Sequence, residues 1–263
     1  MIDPFRYIYG PVHSWRLGTS LVVDPLSGQH KICNMDCVYC QLGRTADIAH
    51  ERREYVPVVE LIAEIKRIPS FFIDYITFSG RGEPTLAKNL GDMIRAVKAI
   101  RREKVAVITN SSLLHRADVQ DDLMGSDFVL AKLDASDQGM LNCVDGACGI
   151  DYDRLIKGIT DFRLRFDGKF ALQIMLLKDN IEHLEGLGVL ARSLNPDEVQ
   201  LNTPLRSCGR LPLGRERLER AKQHFEGLHV ISCYDVPAGH AAPLDENATA
   251  ARHGNSRKSR YTY

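Results

Sequence analysis

Six short runs of apolar and β-branched residues recur along the chain, each followed by a longer amphipathic stretch. The runs are TSLVVD (19–24), DYITFSG (74–80), KVAVITN (104–110), DFVLAKLD (127–134), KFALQIMLL (169–177) and EVQLNT (198–203). They are near-continuous rather than strictly alternating, which suits parallel strands covered on both faces. Helical patterns fill the intervals at 58–68, 86–103, 115–124, 151–166 and 180–194. In the second of these, Leu90, Met93, Ile94, Val97 and Ile100 fall on one face at helical spacing. Regular β–α alternation demands right-handed crossovers and a parallel sheet. Six such units predict an α/β fold, a partial (β/α)6 TIM-like barrel of parallel strands, with a doubly wound open sheet as the alternative. The run 227–235, after a helical pattern at 213–225, reads as one more strand. A single core domain over 19–235 is expected, with an N-terminal extension at 1–18 and a loosely ordered C-terminal tail at 236–263.

Bulk properties narrow the partners. The chain has 34 basic and 34 acidic side chains, so no global field favours nucleic acid or an anionic membrane. The basic end, with Arg252, Arg257, Lys258 and Arg260, reads as a solvated tail. No window approaches the roughly 18 apolar residues of a membrane span, and MIDPFRYIYG lacks a signal pattern. A cytoplasmic location without membrane contact is the expectation. Seven cysteines in a reducing compartment point to metal ligands or catalytic thiols rather than a disulfide framework.

Three of these cysteines crowd into KICNMDCVYCQLG, where Cys33, Cys37 and Cys40 follow the order C-x3-C-x2-C. The loop follows the first predicted strand, and parallel α/β folds gather their sites at the C-terminal ends of strands. A closed zinc site needs four ligands, and neither His30 nor His50 lies at a familiar finger spacing. A redox dithiol would use Cys37 and Cys40 and leave Cys33 unexplained. An iron–sulfur cluster fits better, because short-spaced thiolates hold cubane clusters and three ligands leave one iron open to substrate.

The C-x3-C-x2-C motif, with Tyr39 before its last cysteine, resembles the signature of the radical SAM superfamily. Further likeness, through YIYGPVHSWRLGTSLVVD (7–24) and ITFSGRGEPTLAKNL (76–90), is to the wyosine-synthetase-like Fe–S oxidoreductases. The resemblance implies a [4Fe-4S] cluster on Cys33, Cys37 and Cys40. It also implies S-adenosylmethionine bound at the open iron and reductively cleaved to a 5′-deoxyadenosyl radical that abstracts hydrogen from a substrate. A flavodoxin- or ferredoxin-like one-electron donor is the implied partner, and the substrate is unidentified. By the same resemblance GRGEP, with Gly80, Gly82, Glu83 and Pro84, holds the methionine end. Physically, the glycines allow close backbone approach and Glu83 offers an acceptor to an ammonium group.

Four more segments end on polar residues. Asn110 and Ser111 in TNSS are candidate ribose or carboxylate partners, or helix caps. Lys132 and Asp134 in KLDAS suit either a cofactor contact or an ion pair at the barrel rim. Gln173, Gln200 and Asn202 lie within apolar strands, and Asn202 at a strand end is the candidate for cofactor or substrate contact. Trp15 and Arg16 precede the first predicted strand, where Trp15 reads as a hydrophobic plug. Cys143 and Cys148, in a glycine-containing loop, and Cys208 are weighed as ligands of an auxiliary cluster; the other reading of these cysteines and of Cys233 is unrelated free thiols or small buried residues. Wyosine-forming enzymes carry a second cluster on cysteines before the shared motif, and this chain has none before Cys33. Transfer-RNA modification of the wyosine type therefore stands as the alternative activity, with RNA unsupported by charge. The alternative of another class is a zinc- or cluster-binding interaction module without catalysis.

Overall fold

The computed structural model describes residues 5–28, 30–236, 239 and 241–253. Its centre is a sheet of eight strands in sequential order. They are β1 (Ile8–Ser14), β2 (Gly18–Val23), β3 (Tyr75–Phe78), β4 (Lys104–Thr109), β5 (Phe128–Lys132), β6 (Lys169–Met175), β7 (Glu198–Asn202) and β8 (Val230–Ser232). From β2 to β8 every neighbouring pair is parallel, while β1 runs antiparallel to β2. The sheet curves into a half-barrel, as the alternating pattern predicts.

Among the described residues eight α-helices accompany the strands: α1 (Val58–Lys66), α2 (Leu90–Ile100), α3 (Ala117–Leu123), α4 (Gln138–Asp145), α5 (Tyr152–Arg165), α6 (Leu184–Leu194), α7 (Arg215–Lys222) and α8 (Glu246–His253). The apolar stripes of the crossover helices cover one face of the sheet. Leu21, Val23, Ile76, Phe78, Val105, Val107, Phe170 and Leu201 pack there with Leu61, Ile94 and Ile159 from the helices. Along each strand the alternate residues face the concave side. In α2, Leu90, Met93, Ile94 and Val97 are buried as expected, whereas Ile100, at the last helical residue, is 40% exposed.

Two elements differ from expectation. The N-terminal stretch contributes β1, whose register shifts between Tyr9 and Val12. The segment 244–249 returns to it: Leu244 N–H donates to the Gly10 carbonyl at 2.7 Å, and Gly10 N–H to Thr249 Oγ1 at 3.1 Å. The second difference is α4, a helix in the region read as a glycine-containing loop. Asp137 caps its start by accepting from Met140 N–H at 2.9 Å, and Gly146 closes it in the left-handed conformation at φ 56°. Cys143 thus lies on a helix, and Cys148 in the turn after it. Arg257, Lys258 and Arg260 of the basic tail lie outside the described residues.

Candidate active site

The cysteine loop leaves the C-terminal end of β2 and is held from three sides. Ile32 forms a parallel bridge with Gly82, with Ile32 N–H donating to Arg81 O at 2.8 Å and Glu83 N–H to Ile32 O at 3.0 Å. Cys33 pairs with Ile48, its carbonyl accepting from Ala49 N–H at 2.9 Å. The third attachment is the C-terminus of α4, where Asp36 and Val38 N–H groups donate to the carbonyls of Asp145 and Val144 at 3.1 and 3.0 Å. Those last carbonyls of a helix lack intrahelical partners, so the loop satisfies them.

Gly82 shows why GRGEP needs its glycine. Its φ is 153°, and a Cβ there would stand 1.5 Å from the Ile32 carbonyl oxygen. The close approach that the glycine permits is thus between two stretches of this chain, and it locks the cysteine loop onto the end of β3. Gly80, at φ 134°, likewise admits the Asp24 side chain. Glu83 is buried and spends its carboxylate on the protein. Oε1 accepts from Thr85 N–H at 3.0 Å, Thr85 Oγ1 at 2.6 Å and Thr109 Oγ1 at 2.7 Å; Oε2 accepts from Asn110 N–H at 2.6 Å. Burial pushes this carboxyl upward, opposed by these hydrogen bonds. Pro84 opens the short 3-10 turn Pro84–Leu86 behind it.

Donors converge on the thiols. Asn110 Nδ2 stands 3.8 Å from Cys33 Sγ and also donates to Asn34 Oδ1 at 2.8 Å. Lys132 Nζ stands 3.3 Å from Cys37 Sγ and pairs with Asp145 at 2.5 Å and Asp134 at 3.1 Å. Tyr39, the aromatic residue of the motif, donates its hydroxyl to Asp134 and lies with its ring centroid 4.8 Å from the Lys132 ammonium. Asp134 also accepts from Met175 N–H at 2.7 Å. Its carboxyl is pushed up to about 7 by burial, against the pull of Lys132 and with the Asp145 charge adding to the rise. The Lys132–Asp134 pair expected at the rim is present, but it belongs to a buried network beside Cys37 that also includes Asp145. Asp145 escaped sequence reading because it closes a helix that itself went unread.

Burial raises the Cys33 thiol, and Glu83 adds to the rise; burial pushes Cys37 up to about 12, with the Lys132 charge opposing. Cys40 bears on Cys33, and Cys33 on Cys37, so the three thiols share one electrostatic neighbourhood. Metal binding must displace their protons. Among the described residues no three His, Cys, Asp or Glu side chains converge as ligands of a single ion. A cubane presents a different iron to each thiolate, and the donor set of three sulfurs flanked by N–H donors suits it.

The other candidates divide. Ser111, buried at φ 69°, turns its hydroxyl to the Lys132 carbonyl at 2.8 Å, so its side chain joins β4 to β5. Asn202 is buried on the concave face of β7 with its Oδ1 unpaired, and Gln200 leaves its Oε1 unpaired. Gln173 pairs in register with Lys132 on one side and Gln200 on the other. Cys143 and Cys148 are exposed, Cys208 is half-buried with its thiol toward the Arg210 carbonyl at 3.4 Å, and Cys233 is buried. No helix among the described residues is long and apolar enough to cross a membrane.

Comparison with known proteins agrees with this architecture. The family model of the radical SAM superfamily matches residues 30–189, from the cysteine loop into α6. The chain is 37% identical over 218 residues to the UPF0026 protein slr1464 of Synechocystis, covering 82% of this chain and 81% of that one. It is 38% identical over 242 residues to a protein of Brachyspira hyodysenteriae named GTPase Obg, covering 89% of this chain but 35% of that one, so it spans about a third of that relative. Among solved structures, TYW1 with a lysine–pyruvate adduct bound superposes with a TM-score of 0.62 over 81% of this chain and 76% of that one, at 14% identity, a likeness of fold. The chain belongs to the radical SAM superfamily.

Proposed function

We propose that Cys33, Cys37 and Cys40 hold a [4Fe-4S] cluster with one iron open, and that the chain uses it with S-adenosylmethionine to abstract hydrogen from a substrate. The bound cluster and cofactor supply one-electron cleavage of a sulfonium C–S bond. The observation that carries the reading is the three-thiol loop, held at the C-terminal end of β2 with Lys132 3.3 Å from Cys37 Sγ and Asn110 3.8 Å from Cys33 Sγ. Such donors offset the negative charge of thiolate ligands and set their basicity. Gly80, Gly82, Glu83 and Pro84 form the wall beside the loop, and we assign the methionine end of the cofactor to their backbone, since the Glu83 carboxylate is engaged within the protein. Asn110 is the side chain we assign to the cofactor's ribose and adenine region, with Asp134 behind it in the buried Lys132 network and Ser111 shaping the β4 end. A flavodoxin- or ferredoxin-like donor and a cytoplasmic setting belong to the same reading.

Anaerobically reconstituted protein, reduced with dithionite in the presence of S-adenosylmethionine, is expected to form 5′-deoxyadenosine. Cys37→Ala is expected to lower the yield at least 100-fold on chromatography. Iron-loaded, reduced wild type that forms none would overturn the catalytic reading in favour of a binding module.

A further inference from the structure

The concave face of the half-barrel carries a second group of polar side chains that the cluster site does not use. Arg16, in the turn between β1 and β2, lays its guanidinium over the Trp15 ring at 4.6 Å. Its Nε is sealed from solvent and has no hydrogen-bond partner. Among the described residues no carboxylate forms an ion pair with Arg16. A second guanidinium, that of Arg206 in the segment after β7, bears on it electrostatically. Burial first, then the Arg206 charge, lowers Arg16 to about 10, with the Cys233 thiol opposing. Arg206 donates to Gln41 Oε1 at 2.7 Å, so this second charge touches the residue that follows Cys40. Leu201 pairs with Ser232, which brings Cys233 level with Asn202. Asn202 and Gln200, both buried, leave their amide oxygens unpaired on this same face.

A sealed cationic nitrogen without an acceptor, beside a like charge, is costly unless something else meets it. The buried amides add unmet capacity of the other kind, which calls for a donor. We propose that Arg16 and Arg206, with Gln200 and Asn202, form the substrate-binding wall of the barrel interior, and that the substrate carries a carboxylate or phosphate together with an O–H or N–H donor. The guanidinium pair receives the oxyanion, because a planar fork of donors matches carboxylate and phosphate oxygens. The amide oxygens accept from the neighbouring hydroxyl or amine. The assignment rests on the reading of the chain as a radical SAM enzyme only in calling the ligand a substrate.

The chain has a single tryptophan, Trp15, and it lies under the Arg16 guanidinium. Its emission therefore reports occupancy of the site directly. Reconstituted protein, with and without saturating S-adenosylmethionine, is titrated with inorganic phosphate, with lactate, and with chloride as an ionic-strength control. A saturable change in Trp15 emission is expected with phosphate or lactate and not with chloride, and the stronger of the two names the oxyanion. Arg16→Gln and Arg206→Gln are each expected to weaken it at least tenfold, while Arg16→Lys retains part of it and guards against a folding defect. No saturable response in the wild type overturns the proposal. So does competition by S-adenosylmethionine combined with weaker binding of that cofactor in Arg16→Gln, since the guanidinium would then serve the cofactor's own carboxylate. A 5′-deoxyadenosine assay on the same samples separates the two readings, because the anion response does not depend on cleavage.

Discussion

At the scale of single residues, the site is governed by what burial does to charge. Lys132 is a buried cation shared by Asp134, Asp145 and the Cys37 sulfur, with 13% of its side chain exposed. Removing it leaves two buried carboxylates facing each other, the situation in which breaking a buried pair is most costly. Lys132→Met is therefore expected to lower the stability of the metal-free protein by about 3–5 kcal/mol in urea unfolding. An effect below about 1 kcal/mol would mean that the network is solvated. The cysteines outside the loop offer a second test. Cys233 is buried and pushed up to about 11 by burial, so at pH 8 it is a neutral thiol out of reach. Cys143 and Cys148 are exposed. Brief alkylation at pH 8, read by peptide mass spectrometry, is expected to label Cys143 and Cys148 and spare Cys233. Because the folded-state value lies above the ordinary thiol value of 9.0, the neutral-thiol contribution to stability is complete below pH 9 and is lost as pH rises through about 11.

At the scale of elements, the cysteine loop is a product of its three attachments, and Gly82 is the tightest of them. A Cβ at this position meets the Ile32 carbonyl at 1.5 Å with the backbone at φ 153°. Both objections fall on backbone atoms, so no side-chain rotation relieves them. Gly82→Ala is expected to cost about 3 kcal/mol or more, seen as a lower thermal midpoint, and to reduce iron retained after reconstitution. A variant with unchanged midpoint and iron content would refute this account of how the loop is fixed. The α4 attachment is less visible in sequence. QGMLNCVD contains Gly139 and Asn142, poor helix formers, and only the Asp137 cap and Gly146 stop mark the element. The stretch IYGPVHS hides β1 for a related reason: Gly10 and Pro11 punctuate it, and the register shift between Tyr9 and Val12 accommodates them.

At the scale of the molecule, the parallel core was legible because each strand from β2 to β7 falls within one of the six runs rich in apolar and β-branched residues, and the run after α7 supplied β8. The three cysteines were legible because their spacing alone is unusual. Less legible was everything that depends on tertiary placement. Asp145 has no local signal, Glu83 turns out to be engaged by Thr85, Thr109 and Asn110, and Arg16 shows its unmet nitrogen only once the barrel closes around it. The same scale holds the central claim, that loop, β3 wall and barrel end together present a cluster with an open iron. Electron paramagnetic resonance of the anaerobically reduced protein, with and without S-adenosylmethionine, addresses it most directly. The account predicts a [4Fe-4S]+ signal whose g values shift when the cofactor is added, and no such signal from Cys37→Ala. A cluster signal identical in the presence and absence of the cofactor would contradict it.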